Sequence, residues 1–347
     1  MPERAKRKGI ATISLALFVL LIFMVLAASL GVSELSFQAS LGLILEKLTG
    51  KKLGIIKDLD PVYQVIVFKV RWPRIILSVL AGSSLAMVGA TYQSIFVNSL
   101  ADPHILGISS GAALGAAVAM VFGFKSTALG LSAIALFAFA GGLIAIFLLY
   151  LITPHSLKND SSRILLAGIA LSSLFSALIS LLMLFDQERI AGIYYWLMGS
   201  FSSATWAKVI MLTIIFIPLG ALIYYHAPEM NVMLSGDEEA ASLGVDARRI
   251  RWRLIFMATF LVGAVVSASG VVGFVGLIVP HFLRLLKINN LKYLLPASAV
   301  CGAIFTLFCD SIARLAIPPT ELPVGVITAF FGVPLFLSLL YRSGREY

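Results

Sequence analysis

The sequence predicts an all-α membrane protein of about ten transmembrane helices. Of its 347 residues, 60% are hydrophobic and only 12% are charged, about half the charge of an ordinary soluble domain. Too few charges remain to cover a water-facing surface. The apolar residues also fall into runs close to the ~20 residues that a helix needs to cross a bilayer. The Lys and Arg behind the net charge of +9 sit mostly between these runs. There they set orientation and meet lipid headgroups, and no nucleic-acid partner is expected.

The elements follow from the punctuation. Arg4, Lys6, Arg7 and Lys8 precede an apolar run from Ile10 to about Gly31. That run exceeds the ~7–15 residues of a signal-peptide core, so we read it as an uncleaved first span with a cytoplasmic N-terminus. The other spans fall at about 74–97, 105–123, 128–152, 164–186, 206–226, 254–270, 271–286, 294–310 and 322–341. Ten spans return the C-terminus to the cytoplasm, and the whole chain, 1–347, reads as one permease domain. The seventh and eighth spans meet at Ser269-Gly270-Val271-Val272-Gly273 and could also be one broken helix. Cys301 and Cys309 share one apolar run, too far apart on a helix to bridge. A glycine spacing recurs: Gly82 and Gly89 before Pro103-His104, then Gly263 and Gly270 before Pro280-His281. The second copy starts five spans later and would run the opposite way, the inverted repeat common among transporters.

Two loops stand out. The loop at about 228–253 contains Asp237 to Val245; Asp237 can cap a short helix, Glu238 and Glu239 suit its first turn, and Gly244 can end it. Arg248, Arg249, Arg251 and Arg253 follow and mark the cytoplasmic side. A short helix with defined ends in such a loop is a platform for another protein. The second loop, Phe185 to Ser203, carries Tyr194, Tyr195 and Trp196, which also suit an interfacial aromatic belt.

No catalytic constellation is present. Gly50-Lys51-Lys52 lacks the glycine and hydroxyl of a phosphate-binding loop, so the chain is not read as an enzyme and no cofactor or metal is assigned to it. His104, His155, His226 and His281 lie far apart, near predicted helix ends, where a histidine meets the C-terminal dipole. Asp186, Asp310 and Glu321 also fall at predicted ends, whereas gradient-coupled carriers place ionisable groups at mid-membrane. The driving energy is therefore expected from a partner. A gradient-driven secondary transporter is the alternative class.

Several motifs then resemble one family over most of the chain, from about Arg71 to Tyr341. They include Arg71-Trp72-Pro73-Arg74, and Asn98-Ser99-Leu100-Ala101-Asp102-Pro103, where Ser99 stands in place of the family's proline. They continue with Trp196-Leu197-Met198-Gly199-Ser200, the run Gly270 to His281 with Arg284, Asp310 with Arg314, and Glu321-Leu322-Pro323-Val324-Gly325. Together these are similar to the permease subunits of the ATP-binding-cassette importers for ferric siderophores, haem and vitamin B12, the type II importers.

The resemblance implies ten helices per subunit and a dimer of identical or closely related chains, with a path along the twofold axis. It implies two cytoplasmic ATPase subunits, which bind the ATP and Mg, docked on Asp237, Glu238, Glu239, Ala240, Ala241, Ser242, Leu243, Gly244 and Val245. It implies an extracytoplasmic binding protein paired with Arg71, Arg74 and Arg314, which also suit headgroup contact or, for Arg314, an i, i−4 pair with Asp310. Asn98, Ser99 and Leu100 match the inner gate, and Met183, Phe185 and Met198 are expected to line the path. The expected cargo is a ferric siderophore, with vitamin B12 or haem as alternatives, carried across the bacterial cytoplasmic membrane.

Overall fold

The computed structural model describes residues 3–30, 37–49, 61–124, 127–128, 131–153 and 161–343. Among the described residues ten helices fall at the expected spans, seven of them long and apolar enough to cross a membrane and three with shorter apolar stretches. They are α1 (Glu3–Ser29), α4 (Trp72–Ile95), α5 (Ile108–Val121), α6 (Ala133–Ile152), α7 (Ser161–Phe185), α9 (Trp206–Tyr225), α12 (Ala247–Ser269), α13 (Val275–Leu285), α14 (Leu291–Leu315) and α15 (Val324–Ser343). Between them lie α2 (Phe37–Thr49), α3 (Pro61–Val65), α8 (Ile190–Leu197), α10 (Ala227–Met233) and α11 (Asp237–Ser242). Among the described residues the sheet content is one two-residue ladder, Thr127–Ala128 against Leu131–Ser132.

Local chemistry explains where the helices depart from the expected limits. Asp246 accepts a hydrogen bond from the Arg249 amide (2.9 Å) and starts α12 seven residues before the expected 254. Asn290 accepts from the Lys292 amide (2.9 Å) and starts α14 early. The same helix continues past Asp310 to Leu315, so Asp310 lies inside the helix and not at its end. Ahead of α4, residues Ile66–Arg71 form a π-helical stretch continuous with α3. The N-terminal residues Met1 and Pro2 and the loop segment 50–60 lie outside the described residues.

α4 and α12 form the buried centre, and α4 packs most extensively against α14. Hydrocarbon tails are as apolar as leucine, so helices in a bilayer associate through close packing of small residues. A Cβ at Gly82 would collide with the Gly302 carbonyl, and one at Gly89 with the carbonyl of Gly276. These glycines let α14 and α13 lie against α4. The glycine spacing of the apparent repeat is therefore used differently in its two copies. Gly89 lies inside α4 as a packing residue, while Gly270 takes φ +70 and ends α12. That turn makes α12 and α13 two helices and settles the seventh and eighth spans. The outward faces of the bundle are apolar: Leu15, Phe18 and Leu21 on α1 are each more than 60% exposed, as lipid-facing side chains should be.

Candidate functional site

Among the described residues most of the buried arginines and their acidic partners gather in two places, at opposite ends of α4. The first cluster joins four chain segments. Arg74, in the first turn of α4, donates from Nε and Nη2 to Asp310 Oδ1 (3.0 and 2.8 Å) and from Nη1 to both oxygens of Glu321 (2.8 Å each). Asp310 is 0% exposed. One turn further along α14, Arg314 Nε lies 3.5 Å from Asp310 Oδ2, the i, i+4 pairing foreseen for these two. Arg71 donates from Nη1 to the Ala28 and Ser29 carbonyls (2.7 and 3.1 Å). It thereby satisfies backbone acceptors at the C-terminal end of α1, where a cation also suits the helix dipole.

The three arginines expected to dock a partner are thus brought together, but they are buried: Arg71, Arg74 and Arg314 are 5%, 6% and 6% exposed. Each guanidinium meets groups of its own chain, and the surface above them presents Glu321, whose side chain is 36% exposed. Sequence reasoning missed this pairing because Arg74 and Glu321 are 247 residues apart.

The second cluster lies at the far end of α4. Arg251 of α12, 3% exposed, donates from Nε to the Ile95 carbonyl (2.8 Å) and from Nη2 to Asp237 Oδ1 (2.8 Å). Asp237 was expected to cap α11. It is instead the first residue of that helix, after Gly236 at φ +117, and its carboxylate is held by Arg251. Gly244 ends the helix as expected: it takes φ +79, and the Val245 amide donates back to the Ala240 carbonyl (2.9 Å). Ala240 is fully buried, whereas Leu243 is 69% exposed on the outer side. Next to Ile95, Arg284 donates from Nη1 to Gln93 Oε1 (2.9 Å) and from Nη2 to Ser94 Oγ (3.0 Å).

The Asn98–Leu100 segment is the turn that leaves α4 here. The Asn98 amide donates to the Gln93 carbonyl (3.1 Å), and Val97 sits at φ +48, an uncommon conformation for a β-branched residue. The Asn98 side chain accepts from the Leu100 amide (2.9 Å), so it is engaged within the turn. Val97 and Leu100 are the exposed side chains (57% and 43%), and Ser99 is exposed beside them. Of the expected path residues, Phe185 is 74% exposed and Met198 is half-buried. Met183 is 9% exposed and packs with Ala113, Ile179 and Ile193. It also borders a cavity of about 310 Å³ together with His104 and Tyr194.

Residues 17–342 match the FecCD transport family. The chain belongs to that family. Its members are permease subunits of ATP-binding-cassette importers, and this chain is accordingly a multi-pass membrane permease. The gradient-driven reading is set aside on that ground. The molybdate import system permease MolB of Haemophilus influenzae is 36% identical over 331 residues, covering 95% of this chain and 96% of MolB. The vitamin B12 import system permease BtuC of Vibrio cholerae is 37% identical over 282 residues, covering 81% and 84%. A solved metal-chelate type ABC transporter in an inward-facing conformation superposes with a TM-score of 0.78 at 35% identity, over 94% of this chain and 98% of its own. Fold and family agree across these relatives, while their named cargoes differ.

Proposed function

We propose that the chain moves a metal chelate, a ferric siderophore first, across the bacterial cytoplasmic membrane as one half of a dimer, homodimeric or built with a close paralogue. Vitamin B12 and haem are the alternative cargoes. Both termini face the cytoplasm. Two separate ATPase subunits bind ATP and Mg and dock on α11 and the turn that follows it, from Asp237 to Val245. A binding protein docks at the opposite end, on the surface that Arg71, Arg74 and Arg314 hold together from beneath and on which Glu321 is exposed. Charge complementarity there would set register and speed encounter. The turn at Asn98, Ser99 and Leu100 forms the inner gate, with Leu100 as its apolar stopper. Met183, Phe185 and Met198 line the path on the twofold axis.

One observation supports this reading above the others. α4 begins at the Arg74 cluster and ends at the Arg251 cluster, and its 21 residue steps from Arg74 to Ile95 span about 32 Å at ~1.5 Å each. A movement of α11 would pass through the Asp237–Arg251 pair into the end of α4, and along that rigid helix to Asp310, Glu321 and the docking face. Transmission of this kind requires a second packed arrangement of the two clusters.

The test is uptake by the assembled importer, formed from this chain with its partner ATPase and binding protein, in proteoliposomes. ATP should drive accumulation of a ferric siderophore, and a non-hydrolysable analogue should not. Uptake of cyanocobalamin or haem in its place would reassign the cargo. Accumulation by this chain alone along an ion gradient would overturn the reading.

A further inference from the structure

We infer that the chain carries a binding site for an oxyanion or carboxylate group, centred on Lys208 and opening beside the docking face. The inference deepens the permease reading and rests on it, since it names the charge class of cargo that this end accepts. The site is a cavity of about 590 Å³ bounded by the start of α6, by α8, by the 200–208 segment and by the end of α12.

Its chemistry is biased toward donors. Lys208 lies in the first turn of α9 and has three N–H groups. Two are used, toward Ser203 Oγ (2.8 Å) and the Ala268 carbonyl (3.0 Å). Among the described residues Lys208 has no carboxylate partner. Four hydroxyls on the cavity wall accept a bond from the protein while donating none within the described residues. Ser132 accepts from the Ala135 amide (3.3 Å), Ser202 from Ser200 Oγ (2.9 Å), Ser203 from Lys208 Nζ and Thr205 from the Lys208 amide (3.4 Å). Each keeps its own O–H for another acceptor. Ser132 and Thr205 are also the N-caps of α6 and α9, so two helix N-termini add positive potential at the same cavity.

The wall also carries acceptors: Ser267 and Ser269 donate their protons to the Ala264 and Val265 carbonyls (2.9 Å each), which leaves their hydroxyl oxygens as acceptors only. Among the described residues Glu321 is the only carboxylate on the wall, and both of its oxygens are bound by Arg74. A cavity with one uncompensated cation and several unused O–H donors suits a ligand that offers several acceptor oxygens and a negative charge. A carboxylate-bearing chelate or an oxometalate has that chemistry; a neutral, apolar cargo does not.

The test uses the full-length chain in lipid nanodiscs without its partners. Sodium molybdate and citrate are titrated at constant ionic strength against sodium chloride, and the emission of Trp196, on the cavity wall, is followed with W196F as the blank. A saturable change is expected, weakened at least tenfold in K208M and kept within about threefold in K208R. If K208M does not fold, the S202A/S203A double variant should still weaken binding severalfold. Absence of a saturable signal, or equal binding by K208M, overturns the inference. The two readings fail differently: Lys208-dependent anion binding without ATP-driven uptake sinks the permease reading alone, and ATP-driven uptake with no Lys208-dependent binding sinks this one alone.

Discussion

Arg74 and Asp310 are 236 residues apart in the chain and meet through bonds of 2.8–3.1 Å, with Asp310 completely out of contact with solvent. Taking a carboxylate and a guanidinium out of water is costly, and their mutual attraction offsets that cost only when geometry is close. Here the geometry is close, and Glu321 binds the remaining side of the guanidinium. Removing either partner should leave an uncompensated buried charge.

Arg74→Met should therefore destabilise the chain by about 3–5 kcal/mol, and Arg74→Glu should prevent folding by placing a third carboxylate beside Asp310 and Glu321. The double variant Arg74→Met/Asp310→Leu should recover part of the loss, because the fully buried carboxylate is then gone, and only part of it, because Arg314 loses its partner. Thermal unfolding in detergent measures all three. A double variant no more stable than Arg74→Met would show that the stranded charge is not what destabilises the chain.

Packing at the middle of the bundle gives a second expectation. A side chain at Gly89 would meet the Gly276 carbonyl, which is backbone and cannot rotate away. Gly89→Ala should cost about 1–3 kcal/mol as overpacking, and Gly89→Val more. Gly192, where an added Cβ would find nothing within 4 Å, supplies the control: Gly192→Ala should leave the melting temperature nearly unchanged.

The exposed side of α11 supplies a third. Leu243 is 69% exposed just past the end of this short helix, which is anchored through Ala240 and Asp237. In the proposed assembly the Leu243 side chain would be covered by the docked ATPase. Leu243→Asp should weaken co-purification with the ATPase by tenfold or more, about 1.4 kcal/mol, without lowering the stability of the permease itself. Unchanged assembly would move the docking surface elsewhere.

Much of this fold was legible in the sequence, because a bilayer demands long apolar runs and the runs are there. The ends were less legible, and for a physical reason. α14 was expected to stop at its first acidic residue, Asp310, yet it continues because Arg74 and Arg314 neutralise that acid in the folded chain. Periodicity and composition contain no signal for a partner 236 residues away. The same gap hid the arginines' own partners: residues expected at a partner's surface also bind groups of their own bundle. Lys208 looks in the sequence like the edge of an apolar run, although a lone lysine two residues inside helix α9 is a visible signal. Gly244 and the short α11 were legible, because their determinants are local.

The central claim is that α4 transmits the state of the ATPase docking helix to the opposite end of the molecule, and Arg251 is where that transmission starts. Arg251→Lys retains the charge, but a single ammonium lacks the fork that binds the Ile95 carbonyl and Asp237 together. The most direct measurement is ATP-driven uptake by proteoliposomes holding the complete importer, with ATP hydrolysis recorded in the same vesicles. The account predicts that Arg251→Lys importers assemble and hydrolyse ATP while uptake falls at least tenfold. Wild-type uptake by that variant would contradict it.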